Sequence, residues 1–129
     1  MSGPYTLTAP GADQFNATAT QLHTAATSGN GGILLLSGKT ARVTFALQST
    51  GDTSTGAITL EEAFFDPATL AGENYTGTWS AITTAISTST FTGGAQVLVH
   101  ALGSFWAVRA RISTSVSSGG SVSVWAWGN

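Results

Sequence analysis

The chain has 129 residues, of which 42 % are hydrophobic and only 8 % charged, with a formal net charge of −2 and no cysteine. That length is one domain with a core of its own, held by packing rather than by disulfides. Its four basic residues, Lys39, Arg42, Arg109 and Arg111, are too few to neutralise a phosphate backbone, so nucleic acid is excluded as a partner.

The longest apolar run, Ile33 to Leu36, is far shorter than a membrane span, and Met1 to Tyr5 has neither the basic nor the apolar part of a secretory signal. No membrane partner and cytoplasmic synthesis are therefore expected. A typical soluble domain is roughly 25 % charged. A surface made instead of Thr, Ser and Gly repels neighbouring copies weakly, which favours a protein that lives inside an assembly.

In chain order, Asp13 to Thr27 reads either as a short helix capped by Asp13 or as a Thr-rich edge strand. Residues 1–30 are assigned to an N-terminal arm or edge segment, and 31–129 to the folded domain. Gly29 to Gly32 turns the chain into a short strand, Ile33 to Leu36, and Ser37 to Thr40 reads as a turn between two strands. Lys39 to Gln48 alternates, with Ala41, Val43, Phe45 and Leu47 opposed to Arg42, Thr44 and Gln48.

Ala57 to Phe65 alternates again, placing Ile58, Leu60 and Phe64 against Thr59 and Glu61. Asp66-Pro67 ends that strand, because proline has no ladder donor. Shorter strands are expected at 78–82 and 87–92, followed by Gln96 to His100 and a turn at Gly103-Ser104. Phe105 to Thr114 and Ser121 to Trp127 read as a hairpin joined by Ser115 to Gly120. Seven or eight short strands with turn signals about every ten residues predict an all-β, single-domain antiparallel β-sandwich, jelly-roll-like in outline.

The search for catalytic chemistry returns little. Ser37-Gly38-Lys39-Thr40 imitates the end of a phosphate-binding loop, but Ile33 stands where its first glycine belongs and a strand follows instead of a helix. His23 and His100 are the only imidazoles, and neither has the companions of a zinc site. His100 shares an alternating strand with Leu98 and Leu102, which suits a packed or interface histidine. Asp52, Asp66 and Glu73 fall in loops without calcium-ligand spacing. Glu61 and Glu62 are adjacent in a strand and face opposite sides, so they cannot act as a glycosidase pair. No catalytic residue, no cofactor and no metal ligand is expected.

Arg109 and Arg111 share a strand face, where Glu61 or Glu62 could form structural ion pairs with them. Trp125 and Trp127 project to one side of the last strand, and Val122, Val124 and Ala126 to the other. Val108, Ala110 and Ile112, together with Trp106, form the expected core face of the partner strand. The opposite face presents Phe105, Arg109, Arg111, Trp125 and Trp127, a composition enriched at protein interfaces. That face is either a contact surface or a second buried side of a central strand. Rows of Trp also bind sugars by stacking, so carbohydrate stays open as a less favoured partner.

The run Ile58-Thr59-Leu60-Glu61-Glu62, the later Tyr75-Thr76-Gly77-Thr78-Trp79-Ser80-Ala81-Ile82 and the closing strands with alternating Arg and a Gly-Gly turn resemble the small all-β virion proteins of tailed bacteriophages. These include capsid decoration (cement) proteins and accessory tail or head-fibre proteins. The resemblance spans residues 32–129 and carries no active-site motif. It implies a β-sandwich without catalysis, made in the host cytoplasm and built into the virion. It also implies homo-oligomers, often trimers, with the major capsid protein or other virion subunits as partners.

Overall fold

A computed structural model describes residues 19–64, 78–117 and 119–128, so expectations resting on Asp13, Asp66 and Glu73 lie outside the described residues. Among the described residues, runs of Val, Ile, Leu and Thr at period two, separated by glycine, build seven strands. They are β1 (Thr20–Ala26), β2 (Leu34–Gly51), β3 (Ala57–Ala63), β4 (Ser80–Ala81), β5 (Ile86–Ser87), β6 (Gln96–Thr114) and β7 (Gly120–Gly128). All pairings are antiparallel, in the order β1-β7-β2-β6-β3-β4, with β5 also on β3. The protein is thus an all-β, sandwich-like single domain made from one continuous sheet.

Two strands are much longer than their sequence suggests. Ser37–Thr40 and Gly103-Ser104 were expected to be turns, yet β2 and β6 run through them for 18 and 19 residues. Gly38 and Gly103 take positive φ values of 77° and 151°, a backbone shape open to glycine that bends a strand without ending its ladder. The β2–β6 register slips between Leu35 and Thr40 and again between Thr40 and Arg42, as bulges do. Beyond the bend β6 keeps β2, through Thr40↔Phe105, Leu35↔Ala107 and Leu34↔Val108, and adds β3 on its other side from Ala107 to Thr114.

The inward parity of β6 changes just past the bend, between Phe105 and Val108. Val97, Val99, Ala101 and Phe105 face the core in the first half, and Val108, Ala110 and Ile112 in the second. The bent sheet folds back on itself, so that the chain after β1 meets β6. Ile112 N–H donates to the Gly29 carbonyl at 3.0 Å, and Val116 N–H to the Thr27 carbonyl at 2.9 Å. Inside lie Leu22, Val43, Phe45, Leu47, Ile58, Leu60, Val122 and Val124, all buried. Each such side chain stabilises the fold by about 1.5–3 kcal/mol.

Three further expectations are corrected and one open alternative is decided. The last two strands do not form a hairpin: β7 pairs with β2 from Gly128↔Val43 to Gly120↔Gly51, and with β1 on its other side. Val116 in their connection is buried, which anchors that segment in the core and directs the chain to the open edge of β2. Of the two readings of Asp13 to Thr27, the described residues 20–26 take the edge strand: they are β1, at one end of the sheet, with Leu22 and His23 buried. The strand expected at 87–92 stops at Ser87, whose side chain caps a 3-10 turn over Thr88–Phe91 that plants Phe91 in the core. Phe64 lies one residue past β3 and is 63 % exposed rather than inward.

Hydroxyls stitch the loops at this end. Thr88 Oγ1 donates to the Thr53 carbonyl at 2.7 Å and Thr53 Oγ1 to the Thr88 carbonyl at 3.0 Å. Ser49 Oγ donates to the Phe91 carbonyl and accepts from Gly94 N–H. Buried Thr53, Thr88 and Ser49 thus have their polar atoms satisfied by the loop backbone.

Candidate functional site

Register places two cross-strand rows on the outer face of β7, β2 and β6. One row is Trp127–Thr44–His100, and the next is Trp125–Ala46–Leu98. Arg42 and Leu102 extend the face along β2 and β6. Directly paired residues point to the same side of a sheet. The small central residues Thr44 and Ala46 are buried beneath their neighbours, whereas Leu98 is 50 % and Leu102 82 % exposed. Trp125 and Trp127 are half-buried. His100 Nδ1 lies 2.9 Å from Thr44 Oγ1, which fixes the ring against the sheet. The result is an aromatic and aliphatic platform in which Arg42 is the one charged side chain named on these rows.

A second cluster occupies the outer face of β3 and the second half of β6. Glu61 stands across from Arg109, and Thr59 across from Arg111. Arg109 Nε donates to Glu61 Oε1 at 2.8 Å and Arg111 Nε to Glu61 Oε2 at 3.2 Å. Trp79, just before β4, folds over Arg109 with its ring centroid 4.3 Å from the guanidinium carbon, a cation–π contact. The cluster is graded in exposure: side chains of Glu61, Arg109 and Arg111 are 8 %, 14 % and 37 % exposed.

The five residues expected on one contact surface are therefore divided. Trp125 and Trp127 lie on the β7–β2–β6 platform, while Arg109 and Arg111 lie on β6 beside β3. Phe105 belongs to neither, being 2 % exposed in the core, because it keeps the inward parity of Val97, Val99 and Ala101 across Gly103. Trp106, expected in the core, is half-buried instead. It meets Phe64 edge-on at 5.3 Å and lies against Gly38.

Of the two candidate acids, Glu61 takes both arginines, while Glu62 sits opposite Val108 and Ser80. His23 is buried with Nε2 2.6 Å from the Ala110 carbonyl. Asp52 accepts the Ser54 amide at 2.9 Å. That amide, aided by the Ser54 hydroxyl, holds its carboxyl below the usual value of 3.8. Among the described residues no three His, Asp or Glu side chains gather as metal ligands, and no helix is long and apolar enough to cross a membrane.

Sequence reasoning missed the weight of Leu98 and Leu102. The signal was present: Gln96 to Leu102 has Val97, Val99 and Ala101 at one parity and Leu98, His100 and Leu102 at the other. A strand apolar on both sides that lies at a sandwich surface must leave one apolar side outward. No family model matches the chain, and no curated protein or solved structure matches it either.

Proposed function

We propose that this chain is a virion structural protein of a tailed bacteriophage, a decoration or cement protein that binds the assembled capsid lattice and stabilises it. The observation that supports this reading is the exposed platform of Leu98, Leu102, His100, Trp125 and Trp127 on an otherwise hydroxyl-rich, weakly charged chain. Apolar groups left in water on a rigid sheet are the mark of a protein contact surface. The choice of a capsid as the assembly rests on the sequence resemblance. Binding only the assembled lattice would favour that lattice by mass action, with no chemistry needed.

Co-sedimentation of the full chain with assembled capsids and with dissociated capsid subunits tests the reading. Binding to capsids alone is expected, and Leu98→Asp with Leu102→Asp should abolish it while the melting temperature holds. A chain that ignores capsids overturns it. The adjacent Trp125 and Trp127 favour one second reading, a receptor-binding module that stacks sugars. Oligosaccharide quenching of Trp fluorescence, lost on Trp125→Ala, would select that reading instead.

A further inference from the structure

We propose that Arg111 is a preset anchor for a carboxylate side chain presented by a neighbouring protein subunit. Among the described residues, one carboxylate faces two guanidinium groups, which leaves one positive charge in excess on this face. Neutralising Glu61 requires only Arg109, which lies directly across the ladder, makes the shorter contact and is covered by Trp79. The second arginine is the exposed one. Its Nε is committed to Glu61 Oε2, while a guanidinium carries five N–H donors in a planar fork. The Nη groups therefore remain for an acceptor arriving from outside.

Glu61 also fixes the plane of that fork before any partner arrives, which removes much of the ordering cost of a long side chain. Beside it, Thr59 Oγ1 donates to Ser113 Oγ at 2.9 Å, so the flanking hydroxyls are turned to each other. A single excess charge matches a single carboxylate. A phosphate chain would require several cations together, and Arg42 lies away on the platform. The neighbour's identity as a virion subunit rests on the function proposed above; the anchor itself does not.

The test follows the arginine Nε–H signals of the labelled full chain by NMR during titration with sodium acetate, against sodium chloride at equal ionic strength. A saturable, acetate-specific shift at Arg111, larger than at Arg109 and absent in Arg111→Gln, is expected. No acetate-specific response overturns the anchor. In capsid co-sedimentation, Arg111→Gln should weaken binding at least about tenfold with a melting temperature within about 5 °C of wild type, and with partial recovery in Arg111→Lys. Unchanged capsid binding by Arg111→Gln overturns a role in docking. If the wild-type chain ignores capsids yet shows the acetate shift, the capsid reading falls and the carboxylate site stands.

Discussion

His23 Nε2 lies 2.6 Å from the carbonyl oxygen of Ala110, joining β1 to β6, two strands that are not neighbours in the sheet. A carbonyl only accepts, so Nε2 carries the hydrogen. Gly31 closes the site behind: a Cβ there would come 2.5 Å from the same nitrogen. His23→Ala removes a buried hydrogen bond and leaves a cavity, and should cost about 2–4 kcal/mol by urea denaturation. Gly31→Ala should destabilise by displacing the ring, and the two changes together should fall short of their sum. Strict additivity would show that the contact does not hold the fold closed.

The Glu61 cluster should respond asymmetrically. Glu61→Gln strands two guanidinium groups and Arg109→Gln removes the better-buried partner, so each should cost about 2–4 kcal/mol. Arg111→Gln, at the water-exposed side, should cost under about 1 kcal/mol. Equal losses at Arg109 and Arg111 in chemical denaturation would contradict this ordering.

Gly38 combines a φ of 77° with the Trp106 ring 2.5 Å from where a Cβ would sit. Gly38→Ala should destabilise by about 2 kcal/mol or more through backbone strain and displacement of the indole. A changed Trp emission maximum should accompany the loss. A stable variant with unchanged emission would place the bend elsewhere.

Thr88→Val keeps the shape of the side chain and deletes its hydroxyl, leaving the buried Thr53 carbonyl without that donor. A loss of about 1–2 kcal/mol is expected. Thr90→Val, whose hydroxyl bonds at the exposed surface, should change stability by less than about 0.5 kcal/mol. Parallel thermal melts of the two variants decide the matter.

Asp52 ionises more readily in the folded protein than its usual 3.8 because the Ser54 amide and hydroxyl bond the carboxylate. A lowered acid value stabilises the fold above the unfolded value, and that gain disappears as pH falls through the folded one. The difference in melting temperature between wild type and Asp52→Ala should thus be constant near neutral pH and shrink below about pH 4. A difference that grows on acidification would reverse the assigned sign.

Local chemistry made the strands legible and left their partners hidden. Val43–Phe45–Leu47, Ile58–Leu60 and Val122–Val124–Ala126 are inward in both the alternation and the structure, because a period of two follows from the pleat alone. Pairing does not. The short connection from β6 to β7 invited a hairpin, but the buried Val116 and the open edge of β2 were stronger determinants than sequence distance. Phe105 was misplaced for a related reason: it keeps the inward parity of Val97, Val99 and Ala101 through Gly103, and nothing in Gly103-Ser104 distinguishes a bend within a strand from a turn between strands. The pairing of β7 with β2 instead of β6 separated the arginine and tryptophan pairs that a hairpin had put together.

The position of β7 between β1 and β2 also sets an order of events in the cell. The ladders of β1 and the far edge of β2 are both completed by Gly120–Gly128, with Thr20 finding its partner only at Ala126. β7 is synthesised after both of those partners. Until it emerges, β1 and one edge of β2 wait with open backbone groups, a template for pairing with other nascent chains. The vulnerable interval of this domain is therefore the time between the emergence of β2 and that of β7.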